Sequence, residues 1–269
     1  YYYMTYYMTN YMTNYIYNNS INHSINHSIN HSINHSINHS INHSNNHFYD
    51  IVIPIITIPV IDKLLCIICS SKARWFQLHA FINLIITIII IPDIINFYRQ
   101  PLLGLKINNN HMDSYYVVFL HIYHVIITKN LTILDYFHHI LFIGLGVIPA
   151  ILFIKSNILK LGYIAGCGFP GIVEYSTLAL VKTGKFSSRR QKQINSNLYC
   201  YIRNPLAIFC CAFNYIFYME GLLENDSKII VIYINLLMYF NATFYNKLAI
   251  ENYLMNEYRN IKISTKISM

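Results

Sequence analysis

The chain has 269 residues, of which 55% are hydrophobic and only 11% charged, with a formal net charge of +8. A soluble domain averages about 25% charged residues, so this composition argues against a water-soluble globule and for a chain solvated by lipid. The basic residues are scattered among apolar stretches instead of gathered on one polar face, which excludes nucleic-acid binding as the meaning of the charge.

The first 47 residues contain no Lys, Arg, Asp or Glu, so every formal charge lies beyond them. They are two short repeats. A Tyr-Met-Thr-Asn pattern comes first, and Ser-Ile-Asn-His then recurs six times from Ser20 to His43. A four-residue period is far below the 20 to 50 of stacked repeats, and such a tract buries too little apolar surface to offset its ordering entropy. Residues 1–47 are therefore expected to be a disordered low-complexity tract. Seven of the 13 histidines fall here in steps of four. On a helix they would form a metal-binding stripe, but repeat expansion in a chain biased to Ile, Asn and Tyr is the simpler explanation. The chain opens on Tyr1-Tyr2-Tyr3 without an initiator Met, which leaves a preceding segment or signal peptide open.

After Tyr49 the apolar stretches begin. Residues 51–69 are interrupted by Pro54, Pro59, Asp62 and Lys63, and read as a weak span or an interfacial segment within 48–72. Strong or moderate spans follow at 76–95, 115–128, 131–154, 159–181, 198–219 and 229–248, long enough in most cases to cross hydrocarbon as helices. The span over 159–181 carries four glycines and Pro170, which favour close helix approach and a kink. The expected fold is all-α: a polytopic transmembrane bundle of about six or seven helices over 73–255, with a basic tail over 256–269.

Lys182, Lys185, Arg189, Arg190 and Lys192 crowd one loop, Arg259, Lys262 and Lys266 lie in the tail, and Glu220, Glu224 and Asp226 share another loop. Positive residues favour the cytoplasmic side, so the C-terminus is expected there and the acidic loop opposite. Lys155 and Lys160 fall on the wrong side of this alternation.

Polar groups inside spans are expensive in lipid and mark functional candidates. Trp75, His79, Asn83 and Thr87 recur every four residues, which lays them on one helical face expected to point into the bundle. Asp135, His138 and His139 project within roughly a 100° arc. A carboxylate beside an imidazole can fix its tautomer and raise its basicity, so Asp135, His138 and His139 are the candidate catalytic residues. Interhelical hydrogen bonding is the simpler alternative for both sets. His121 and His124 add a pair one span earlier. Six histidines outside the repeat tract fall short of the eight or so that a membrane di-iron site takes, and Asp135 stands where such a histidine box would begin. Cys66 and Cys69 have CxxC spacing in aliphatic surroundings with no second pair, which implies no metal or disulfide. No metal and no cofactor are expected.

Ala73-Arg74-Trp75-Phe76-Gln77-Leu78-His79 with Asn83, Asp135-Tyr136-Phe137-His138-His139, Gly168-Phe169-Pro170-Gly171-Ile172-Val173-Glu174-Tyr175, Leu180-Val181-Lys182-Thr183-Gly184 and Phe240-Asn241-Ala242-Thr243-Phe244-Tyr245 occur in one order. In that order they resemble the TLC-domain family of multi-pass membrane proteins, over roughly residues 71–253. The resemblance implies an endomembrane location, most simply the endoplasmic reticulum, and a role in membrane lipid homeostasis with lipids as partners. His138 and His139 match the histidine pair of the family's ceramide synthases, which would use acyl-CoA as substrate in a lipid acyltransferase reaction. The paired aspartates that follow in those enzymes are not evident here. His79, Asn83, His124, Glu174, Arg203 and Asn241 are the candidate lipid-cavity residues. A structural or transport role is the remaining alternative, and homo- or hetero-oligomerisation is left open.

Overall fold

The computed structural model describes residues 35–105, 111–128 and 131–267. The chain divides into two units, Tyr1–Phe48 and Tyr49–Met269. In the first, the described residues are the beginning of helix α1 (His35–Ile68), which takes in the last repeats of the low-complexity tract. The expectation of disorder otherwise falls on residues 1–34, outside the described ones.

Among its described residues, the second unit is a set of helices joined by turns and short loops. α1 continues to Ile68 and is followed by α2 (Arg74–Arg99) and α3 (Met112–Ile127). α4 is a rod over Ile133–Phe153 whose middle, His139–Val147, is a π-helix. α5 (Ile158–Gly166) and α6 (Phe169–Lys182) share one apolar segment. α7 (Ser188–Leu198) runs through a second π-segment, Tyr199–Arg203, into α8 (Asn204–Met219), and α9 (Lys228–Ile267) closes the chain.

Among the described residues, five helices are long and apolar enough to cross a membrane: Phe48–Ile68, Ser71–Arg99, Ile133–Phe153, Ile158–Lys182 and Lys228–Ile261. α3 has 16 residues, about 24 Å at 1.5 Å each, short of a hydrocarbon core about 30 Å thick. The stretch expected to span at 198–219 is not among the five, since Arg203, Asn204 and Asn214 interrupt its apolar run. Many aliphatic side chains are exposed, among them Ile67, Ile126, Ile133 and Leu152. In water this surface would be an aggregation hazard, whereas lipid solvates it.

Proline shapes the rods in two ways. Pro54 and Pro59 do not interrupt α1, against the expectation of a broken segment. In apolar surroundings a helix is the one way to keep the remaining backbone groups paired, and Asp62 is buried and ion-paired instead of marking a wet break. Pro149 and Pro205 each follow a π-segment. A proline ring collides with the carbonyl four residues earlier and leaves it without a donor. Widening the preceding turn relieves this, and the last amides before each proline bond five residues back: Ile148 N to Ile143 O and Asn204 N to Tyr199 O. The segment expected to kink near Pro170 is parted instead, with Cys167 and Gly168 between α5 and α6. α6 ends on Gly184, whose φ of +75° is the left-handed stop that lets Lys185 N reach Leu180 O.

α2 is the central helix. Its 18-residue apolar window is 44% buried, against 11% for that of α9. Leu78, Ile82, Ile86 and Ile90 face the core together with His79, Asn83 and Thr87, as the four-residue spacing predicts. α2 packs most extensively on α6. A Cβ on Gly171 would lie 2.5 Å from Asn83 Nδ2, so the glycine sets how closely these helices meet. Gly171→Ala is expected to cost about 1 to 3 kcal/mol by overpacking, read as a lower unfolding temperature in detergent.

At one end of the bundle, Asp226 accepts hydrogen bonds from the backbone N–H groups of Lys155 (2.6 Å) and Ser156 (3.1 Å). Lys160, which disturbs the charge alternation, is buried and ion-paired with Asp93.

Candidate functional site

Five histidines from three helices meet in one cluster. α2 supplies His79, α3 supplies His121 and His124, and the start of α4 supplies His138 and His139. Ring centroids are 5.8 Å apart for His79 and His121, 5.1 Å for His79 and His124, 5.4 Å for His121 and His138, and 5.2 Å for His124 and His139. Trp75 stacks on His124 at 4.5 Å, and Tyr175 lies 4.7 Å from His79. The rings meet mostly edge to face. Among the described residues, no group of three or more His, Cys, Asp or Glu side chains could hold a metal ion.

The hydrogen bonds fix the direction of the neutral rings. A nitrogen facing a carbonyl oxygen must carry hydrogen, so His121 Nδ1 donates to Val117 O (2.7 Å) and His79 Nδ1 donates to Trp75 O (2.9 Å). His121 Nε2 is then a lone pair. It accepts from His138 Nε2 at 3.4 Å, which leaves His138 Nδ1 to accept from Tyr245 Oη at 3.2 Å. The chain therefore runs from the Tyr245 hydroxyl through His138 and His121 to Val117 O. Both nitrogens of His138 are engaged in it. His79 Nε2 is the lone pair left over among the three rings that line the cavity described next, while His124 and His139, outside that wall, each also have an unbonded Nδ1.

Asp135 sits elsewhere. It is in the first turn of α4, where its Oδ2 accepts from Thr132 N (2.8 Å) and Thr132 Oγ1 (2.7 Å), while its own N–H donates to Thr132 Oγ1. This is a capping box. The residue expected to orient a histidine starts the helix that carries it, and Tyr245 takes the orienting place.

A cavity of about 160 Å³ opens beside the cluster. One end is polar, with His79, Asn83, His121, His138, Arg203 and Asn241 in its wall. The rest of the wall is mostly aliphatic, with Ile143, Val147, Leu159, Ile234, Leu237 and Met238, and also includes Tyr163 and Asn214, whose Nδ2 donates to Asn235 Oδ1. Of the residues expected to form a lipid cavity, His79, Asn83, Arg203 and Asn241 line it. His124 belongs to the histidine cluster behind them. Glu174 lies behind Arg203, whose Nη1 donates to Glu174 Oε2 at 3.2 Å. Tyr199 Oη donates to the same oxygen at 2.8 Å and also accepts from Arg203. The π-segment Tyr199–Arg203 brings these two side chains to Glu174 on α6.

A third network borders the cluster. Asp62, fully buried on α1, takes a two-pronged ion pair from Arg74 and a hydrogen bond from Tyr123 Oη (2.7 Å). Arg74 also lies over the Trp75 ring, 5.5 Å from its centroid. Spacing along the chain brings Asp62 and Arg74 together only once α1 and α2 turn back on each other, so periodicity within one helix gave no sign of the pair. Tyr199 and Tyr245 carried a weak sign, each lying four residues from another cavity-facing polar group, Arg203 and Asn241.

Comparison with protein-family models, curated proteins and solved structures gives no match to the chain.

Proposed function

We propose that this chain is an integral membrane protein that binds a lipid in the cavity beside its histidine cluster and so contributes to membrane lipid homeostasis. The carrying observation is the cavity itself: a polar end built by His79, Asn83, His138 and Arg203, continued by an aliphatic wall inside helices long enough to cross a membrane. The ordered residue blocks that resemble the TLC-domain family supply four of the cavity's polar residues, His79, Asn83, His138 and Asn241. That resemblance supports an endomembrane, the endoplasmic reticulum in the first instance. The basic loop at 182–192 supports a cytoplasmic C-terminus.

Native mass spectrometry of protein extracted without added lipid tests this reading. One lipid per chain is expected, and it should be lost when the cavity is filled by Val147→Phe. Protein that carries no lipid, or that retains it equally in the variant, would overturn the cavity as a lipid site.

The free lone pair of His79 favours a second reading, lipid acyl transfer from acyl-CoA in the manner of ceramide synthases. A general base needs an unengaged nitrogen within reach of the nucleophile, and of the three imidazoles in the cavity wall His79 offers one while His121 and His138 do not. Turnover with acyl-CoA and a panel of amine and alcohol acceptors is then expected to vanish in His79→Ala. Activity that survives this change, or no turnover with any acceptor, would remove the enzymatic reading.

A further inference from the structure

The geometry points to an amphiphile with a carboxylate head as the ligand, its head on Arg203 and its chain along the mostly aliphatic wall. This rests on the lipid-binding reading and names its ligand class.

The head follows from how Arg203 spends its donors. Its hydrogen bonds to Glu174 and Tyr199 all leave from one nitrogen, Nη1. Nε and Nη2, the parallel edge that matches an oxyanion with two bonds, have no bond to the described residues. Arg203 lines the cavity, so this edge is within reach of a ligand. The guanidinium is a buried cation whose side chain is 12% exposed, and Glu174 already balances part of its charge. A singly charged carboxylate suits such a half-neutralised cation better than a phosphate. An amine would meet two donors and a positive charge.

The direction of the chain follows from the wall. Along α4 the wall runs from His138 to Ala150. The antiparallel α9 agrees in polarity: Asn241 lies at the head end, and Leu237, Ile234 and Val231 follow toward the tail.

Competition for radiolabelled palmitic acid on the full chain in nanodiscs tests the head assignment, first on the parent protein and then on one variant. The competitors are unlabelled palmitic acid, methyl palmitate, hexadecylamine, hexadecyl phosphate and a dipalmitoyl glycerophospholipid. Palmitic acid is expected to compete at least tenfold better than any of the others. Arg203→Lys, which keeps the charge and loses the fork, should reduce palmitic acid binding at least tenfold while leaving methyl palmitate unchanged. Equal competition by acid, ester and amine would overturn the head assignment and leave lipid binding standing. Tighter binding of the phosphate or the amine would overturn it in favour of those heads. Preference for the dipalmitoyl lipid, whose acyl chains are esterified, would overturn the carboxylate head. Loss of binding by all competitors, with no lipid carried by the extracted protein, would remove the lipid reading itself.

Discussion

Arg74→Met is expected to destabilise the bundle by about 3 to 5 kcal/mol, the cost of leaving a buried carboxylate without its counter-ion. Asp62 is 0% exposed, and its two oxygens take bonds from Arg74 and Tyr123. The pair is asymmetric, because the Arg74 side chain is 34% exposed while that of Asp62 is fully enclosed. Losing the acid strands a cation that can turn outward. Losing the cation strands an acid that cannot. Asp62→Asn should therefore cost less than Arg74→Met, and the double variant should be more stable than Arg74→Met alone. Unfolding in mixed micelles, arranged as a double-mutant cycle, reads this directly. An Arg74→Met protein within 1 kcal/mol of the parent would show that the ion pair does not join α1 to α2.

Glu174→Gln should act on stability and binding in opposite directions. Glu174 and Arg203 have side chains 16% and 12% exposed, so removing the negative charge leaves a largely buried guanidinium held by Tyr199 alone. A loss of about 3 kcal/mol is expected. The same change frees the cation for an external carboxylate, so added palmitic acid should restore more melting temperature to the variant than it adds to the parent, by binding the folded state. Equal shifts in the two proteins would separate Glu174 from the ligand. Replacing Arg203 by Met together with Glu174→Gln removes both charges, and should recover stability while abolishing the ligand effect.

The sequence made some layers of this molecule readable and hid others. Apolar length located the helices, since hydrocarbon leaves few alternatives to them. The four-residue recurrence of His79, Asn83 and Thr87 placed these side chains inward, because one helix face is a local property. Adjacent histidines marked the site at His138 and His139. What stayed hidden depends on groups brought together from different rods. Asp135 looked like a partner for His138 from spacing alone, yet Thr132, three residues earlier, competes for the same carboxylate and wins by closing a helix cap. The Asp62–Arg74 pair was obscured because Asp62, beside Pro59 and Lys63, resembled a place where the chain meets water. The stretch 198–219 is less apolar than its length suggests, since Arg203, Asn204 and Asn214 lie inside it.

The wide turns ahead of Pro149 and Pro205 give this site an unusual kind of adjustability. One surplus amino acid in a turn advances everything beyond it by about 100° around the rod's axis. Gain or loss of a single residue at either place would swing the imidazoles of α4, or the guanidinium at the head of α8, to a new bearing while the lipid-facing remainder kept its own. The chamber can thus be retuned by insertion or deletion as well as by substitution.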